Sequence, residues 1–298
     1  MGPPPELCKI TITLQALAST RMGVIRAASR ALDRLTPRGV SLQSIQSVKA
    51  AMAKAHADPK EAHAAAIADV KRLMRLARTG ALATLEAKGG APLTTLLGVA
   101  SDFDGAPLFL MSTLSRHTRN LAGDPRASLL LTGRHERGDP LNQPRVTLGG
   151  LVERCAAPRA KVRYLQRNPK AGLYAGFADF ALYQLRIDDV HFNGGFGRAA
   201  PLTAAEVLAS REGEVALVAA EEGLLAEVNA LGRAELARLA GHSASPRAPG
   251  PGGWRAIGLD AEGLDLAAGG RAARAQFATP VHDPEAWRAR LEQRLAAS

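Results

Sequence analysis

Between residues 80 and 197 the chain breaks into short apolar runs separated by tight-turn signals, and this rhythm limits the fold more than any other feature. GALATLEA is followed by a KGGAP turn. PLTTLLGVASD leads into FDGAP, whose Asp104–Gly105 pair is a hairpin signal. PLFLMS, ASLLLTG, RVTLGGLVERC and FALYQLRIDDVHFNGG follow, the last ending in glycines. The span predicts about six short strands with two short helices between them. Hairpin spacing of this kind predicts a mostly antiparallel sheet closed into a barrel.

Helical patterns lie on either side. DPKEAHAAAIADVKRLMRLART, residues 58 to 79, offers Asp58 as a cap, Pro59 for the first turn and Glu61 at the capping-box position. Ala65, Val70, Leu73 and Leu76 form its apolar stripe. APRAKVRYLQRNP predicts a helix closed by Pro169. Residues 201 to 241 read as helical, and GHSASPRAPGPGG as a linker or exposed loop. WRAIGLDAEGLDLAAGGRAARAQF predicts two or three strands, with turns at Glu262-Gly263 and Gly269-Gly270. A last helix starts at Asp283 as cap and Pro284 as first residue. The fold class is α+β and mainly β. The expected divisions are an N-terminal extension (1–55), the barrel (56–200) and a small C-terminal α+β domain (201–298).

A length of 298 residues accommodates two ordinary domains. The formal net charge of +10 points to nucleic acid, an anionic membrane or an acidic ligand. Its Lys and Arg residues are scattered and not interleaved with aromatics, so no nucleic-acid stripe is expected. Cys8 and Cys155 cannot build a disulfide framework and read as reduced thiols. No apolar run approaches the ~20 residues of a transmembrane helix. The first 55 residues are set apart from the fold. There STRMGVIRAASRALDRL is amphipathic, with Met22, Ile25, Ala28 and Leu32 at helical spacing. It reads either as an upstream extension, with initiation near Met22 or Met52, or as an organellar transit peptide. The expected location is cytoplasmic.

MSTLSRHTRNLAGDPRASLLL, residues 111 to 131, sets a cluster of anion-seeking groups between two apolar runs. Ser112 and Thr113 fall at a strand exit, and Ser115 suits the N-cap of a short helix running to about Leu121. A helix N-terminus attracts an anion through free N–H groups and the helix dipole. Arg116 and Arg119 stand three apart, and His117 adds a further donor. Such donors suit a phosphate monoester. The plainer alternative is a capped helix with solvated arginines.

From about residue 66 to 200 the sequence resembles the split β-barrel family of FMN-binding proteins typified by pyridoxamine 5′-phosphate oxidase. HTRNLAGDPRASLLL and ALYQLRIDDVHFNGGFGRA are similar to its haem-utilisation branch, whose members bind or degrade haem on this barrel. The segment WRAIGLDAEGLDL to the C-terminus is similar to the small domain that often follows it. The resemblance implies that Ser112, Ser115, Arg116 and His117 surround an FMN phosphate, with Thr94 and Thr95 facing the flavin ring or the phosphate, and Arg119 joins them as a cofactor-binding candidate from its helical spacing. It also implies a homodimer with the cofactor at the subunit interface. Two departures stand out. The oxidase's strand Arg is missing and His117 replaces its Lys. In the C-terminal domain Asn229 is kept, but Leu231 and Gly232 replace the usual Asp and His.

Other features carry less. His191 on the last barrel strand is either a haem contact or a hydrogen-bonded strand residue. Arg145 is either a partner for a ligand carboxylate or a solvated strand residue. Gly195, Gly197 and Ala200 mimic a dinucleotide fingerprint, with Glu212 and Glu214 downstream, but the antiparallel strands before them argue against a Rossmann unit. Phe180 and Tyr183 are expected in the core, and His56 and His63 are expected to be solvated. No catalytic triad, paired carboxylates or zinc spacing stands out. Two functions follow. One is an FMN- or haem-binding enzyme of the flavin oxidoreductase or haem oxygenase type, acting in haem utilisation or degradation. The other is a non-catalytic haem-carrying or regulatory barrel with a decayed flavin site.

Overall fold

A computed structural model of the chain describes residues 59–133, 139–195, 198–241 and 253–296. The expectations for residues 1–55, the Asp58 cap, His56, Cys8, Gly197 and most of the 241–253 loop lie outside the described residues.

The first helix, α1 (Pro59–Leu76), begins on its proline and carries Glu61 in the first turn and Arg75 in the last. Its buried face runs through Ala66, Val70, Leu73 and Met74. The predicted stripe is thus turned slightly: Ala65 is exposed and Leu76 only half-buried, because Met74 and Ala66 take the inward positions. Each fully buried Val or Leu contributes about 1.5–3 kcal/mol, which holds α1 against the sheet.

That sheet has eight strands, all paired antiparallel: β1 (Thr79–Leu85), β2 (Pro92–Gly98), β3 (Ala100–Ser101), β4 (Pro107–Ser112), β5 (Arg126–Thr132), β6 (Arg145–Arg154), β7 (Phe180–Asn193) and β8 (Ala199–Leu202). Their order is β2-β1-β5-β6-β7-β4-β3, with β8 on β7. The sheet curls into a half-barrel, so the expected α+β split-barrel architecture is present. Two strands exceed the predicted six. β3 is a two-residue arm of the hairpin at Asp102–Ala106, where Gly105 takes φ +99. β8 follows the glycine stretch and pairs Ala200 with Phe192. At β6 the pairing register shifts between Gly149 and Gly150. A Cβ on Gly150 would lie 1.9 Å from the Arg186 carbonyl oxygen, so only glycine lets β7 pass that closely. Leu82, Phe109, Leu129, Leu131, Leu148, Leu185 and Phe192 fill the barrel with α1. Helix α2 (Arg116–Gly123) follows β4. Helix α3 (Pro158–Arg167) ends before Pro169, as expected, and packs with the outer face of β4 through Tyr164, Leu108 and Leu110.

Beyond the barrel, the predicted helical stretch is broken. Helix α4 (Ala204–Val207) opens on a Thr203–Glu206 capping box, and α5 (Glu214–Asn229) and α6 (Arg233–Ala240) follow. Strands β9 (Arg255–Asp260), β10 (Gly263–Ala268) and β11 (Arg271–Gln276) make an antiparallel sheet in the order β11-β10-β9. Helix α7 (Pro284–Ala296) starts on the Asp283 cap, whose Oδ1 accepts from the amides of Glu285 and Ala286 at 2.9 and 3.0 Å. A second core gathers Leu217, Leu224, Leu259, Leu264, Leu266 and Trp287. Phe103, from the β3–β4 hairpin, belongs to this core.

Charges are buried where the two sheets meet. Asp260, with a side chain 0% exposed, accepts from Arg274 at 2.8 and 2.9 Å and pairs with Arg75 of α1 at 3.2 Å. Burial alone would push its carboxyl up, but Arg274 and Arg75 outweigh that and hold it below the ordinary carboxylate range. Glu221 of α5 takes Arg159 and Arg163 of α3, each at 2.7 Å. Arg163 also lies over the Phe103 ring, 5.6 Å from its centre.

Removing one partner of a buried pair leaves the other charged and desolvated. Asp260→Ala should therefore lose about 3–5 kcal/mol of unfolding free energy in a urea titration. Because the folded carboxyl titrates below its unfolded value, its contribution is complete above that unfolded value near 4. It fades as pH falls through the folded one. Acid unfolding should accordingly be less steep in Asp260→Asn than in the native protein.

Candidate functional site

The anion-seeking cluster sits at the exit of β4, where α2 begins. Three buried residues of α2 fix it: Thr118, Leu121, and Asn120, whose Nδ2 donates to Thr84 Oγ1 of β1 at 3.1 Å. Ser115 occupies the N-cap position with extended backbone angles. Its hydroxyl does not cap the helix, which corrects the expected role; Oγ donates instead to the Ser112 carbonyl at 2.6 Å, closing the turn. Ser112 Oγ donates to Asp179 Oδ2 at 2.5 Å and accepts from the Leu114 amide at 3.0 Å. Thr113 N–H donates to the Asp179 carbonyl.

The two arginines do not converge on one point. Arg116 pairs with Glu86 after β1, and Arg119 donates to the Leu114 carbonyl at 2.7 Å. Thr95 Oγ1 lies 3.2 Å from His117 Nδ1. Thr94 is exposed on the opposite face of β2, since neighbouring strand residues alternate, so only one of the two threonines reaches α2. Burial lowers the His117 pKa, which favours the neutral imidazole. The structure thus gathers Thr95, Ser112, Ser115 and His117 at the start of α2, holds Arg119 on the turn's Leu114 carbonyl, engages Arg116 with Glu86 and leaves Thr94 on the other face of β2.

His191 and Arg145 lie elsewhere. Ser112 pairs with Phe180 at the start of β7, whereas His191 pairs with Thr147 near its other end. Phe180 and His191 stand eleven positions apart on the strand, about 35 Å of extended chain. Arg145, opposite Asn193, donates to the Leu141 carbonyl at 2.8 Å. Within one chain neither meets the cluster.

Sequence reading missed four neighbours of the turn. Asp179 and Glu86 are the acidic partners just described. Tyr174 and Phe177 flank Phe180, with ring centres 4.8 and 6.4 Å from it. Phe177 is 59% exposed and Leu114, on the turn itself, 71%. The signal was available: in a chain with 4% aromatics, three fall between residues 174 and 180. Phe180 is only half-buried, while Tyr183 joins the barrel core as expected. In the C-terminal region Asn229 clamps β9, donating to the Ala256 carbonyl at 3.1 Å and accepting from its amide at 2.8 Å. Among the described residues no group of three or more His, Cys, Asp and Glu is placed to hold a metal. No described helix is long and apolar enough to cross a membrane.

A family profile described as "CREG, beta-barrel" matches residues 59–208. The chain belongs to the CREG β-barrel family. An Agrobacterium tumefaciens protein of unknown function is 31% identical and superposes with a TM-score of 0.66, covering 89% of this chain and 98% of its own. The non-canonical heme oxygenase HOZ, chloroplastic, of Arabidopsis thaliana is 28% identical over 146 residues, 48% of this chain. That alignment covers only 44% of the plant protein, so the CREG barrel here spans less than half of its relative. A heme binding protein of Mycobacterium smegmatis is 27% identical with a TM-score of 0.44, covering 78% of this chain and 96% of its own. In this CREG barrel, as in the resemblance drawn from sequence, the β4–α2 turn lies within the matched span.

The His117 assignment can be read directly. An NMR titration should place its pKa below the ordinary histidine value of about 6.5. In Thr95→Val the His117 ring resonances should shift, because the contact to Nδ1 is lost.

Proposed function

We propose that this protein binds haem at the surface formed by the β4–α2 turn and the Tyr174–Phe180 segment, and that it acts in haem utilisation or degradation. The observation that carries the reading is the pairing of an exposed aromatic face with anion-binding groups already matched by carboxylates. Glu86 meets Arg116, and Asp179 meets Ser112. An incoming phosphate dianion would have to displace both carboxylates. A macrocycle makes no such demand: Phe177, Tyr174 and Leu114 offer apolar area, and stacked rings add about 0.5–1.5 kcal/mol beyond burial. The similarity to the plant heme oxygenase supports the same ligand.

The residues present fit such a group. His117 would serve as the iron ligand, since burial favours its neutral form and Thr95 engages Nδ1, leaving Nε2 for a metal. Bound haem supplies iron-centred oxygen and redox chemistry. The chain itself orients the imidazole through Thr95 and positions the turn through Asn120 and Ser115. It shields one ring face with aromatics. Pairing of two copies through this face belongs to the same reading, because it would cover Leu114 and Phe177, both largely exposed.

FMN is the second reading, supported by the hydroxyls and imidazole at a helix N-terminus and by the resemblance to flavin-binding barrels. Titration of the purified protein with haem should give a sharp band near roughly 400 nm, and flavin would instead give bands near roughly 450 nm, each the cofactor's own absorption. His117→Ala should change the haem band, and Phe177→Ser should weaken binding about tenfold. A haem band that is unchanged in both variants counts against the site. If FMN is the ligand, Glu86→Gln should tighten it severalfold by freeing Arg116, and haem affinity should then stay the same.

A further inference from the structure

A small polar cavity of about 20 Å3 lies between α3, β3, β9 and β10, on the opposite flank of β4 from the turn discussed above. Arg75, Arg163 and Arg167 line it, together with Ser101, Gly258 and Asp265. Three guanidiniums around so small a space need explaining, because Arg does not discharge in proteins.

The ion pairs account for all but one of them. Arg163 pairs with Glu221 at 2.7 Å and shares it with Arg159, which also reaches the exposed Glu222 at 4.0 Å. Arg75 shares Asp260 with Arg274, and Arg274 also takes Asp265 at 2.9 Å. Asp104, also buried, is matched by Arg211 at 2.9 Å. Arg167 remains. It is 4% exposed, and its Nη2 donates only to main-chain carbonyls, those of Arg75 and Ala77. Its Nη1 is buried and has no hydrogen-bond partner among the described residues. Arg78 adds positive charge nearby, donating to the Arg167 carbonyl at 3.4 Å. Burial and the like charges of Arg78 and Arg75 disfavour the Arg167 cation, with only Asp265 working the other way. A buried cation with a free donor, no carboxylate in contact and only the already paired Asp265 nearby is a costly arrangement for a protein to hold.

We propose that this cavity is a binding site for one monatomic monovalent anion, chloride in the cell, held by Arg167 Nη1 and screened by Arg75 and Arg163. The size and the charge each limit the occupant. A space of about 20 Å3 suits a single small species. One unmatched guanidinium calls for one negative charge. The anion completes the charge balance between the barrel and the β9–β11 sheet, so the site is structural. It is separate from the proposed haem surface, and the fate of either reading leaves the other standing.

The test uses the full chain and bromide as a heavy stand-in for chloride. Crystals grown in sodium bromide should give an anomalous peak within hydrogen-bond range of Arg167 Nη1. At equal ionic strength the Tm in sodium chloride should exceed that in sodium gluconate, whose anion is too large to enter. It should climb by a few degrees for about each tenfold rise in chloride. In Arg167→Met that difference between the two salts should vanish, whatever the variant's own Tm. If the variant does not fold, the bromide peak in the native protein decides. A water alone at Arg167, an adventitious ion only, at other surface sites, or equal Tm in both salts overturns the proposal.

Discussion

Asp260 determines how the two sheets of this protein meet. Its carboxylate is cut off from water, and the desolvation cost is met only because Arg75 arrives from α1 and Arg274 from β11. Those two residues come from helix and strand elements nearly two hundred positions apart, so the barrel and the C-terminal sheet must both be formed before the charges are matched. The surrounding packing follows from that meeting. Trp287 donates to the Asp260 carbonyl at 3.0 Å, and Phe103 leaves the barrel hairpin to join the second core. Apolar side chains supply most of the stabilisation, but they would tolerate several relative placements. The charges do not.

The candidate site depends on a different kind of constraint. The β4–α2 turn is held by short-range bonds: Ser115 to Ser112, Asn120 to Thr84, Thr113 to Asp179. With the backbone fixed this way, the polar groups at the helix start are aligned before any ligand arrives. The two carboxylates that face them change the character of the site. A turn of this type attracts anions by construction, and here Glu86 and Asp179 supply them from within the chain. Among what stays open to solvent beside it are the aromatic Phe177 and the aliphatic Leu114.

Much of this was legible in the sequence, because local chemistry sets local structure. The Asp104–Gly105 hairpin, the α3 stop before Pro169 and the Asp283 cap each depend on residues within a few positions of one another, and each formed where expected. The misses share a cause in distance along the chain. Ser112 meets Asp179 across 67 positions, and Arg116 meets Glu86 across a hairpin and a strand, so their partners could not be read from a window around either residue. Ser115 had a choice between two local acceptor patterns that spacing does not distinguish. The family resemblance named the barrel, and the matched span of 59–208 agrees with it.

One detail of β2 has a further effect. Among the described residues this strand is at the edge of its sheet, paired with β1, with Thr95 opposite Leu82 and Thr94 opposite Ala83. Edge strands paired on a single side are the ones most prone to sliding along their neighbour. A slide by one position inverts inside and outside, and in most strands that would swap a hydroxyl for an aliphatic group. Here a slide in one direction would carry Thr94 into the place of Thr95 and keep a hydroxyl before the imidazole of α2, whereas a slide the other way would set Leu96 there.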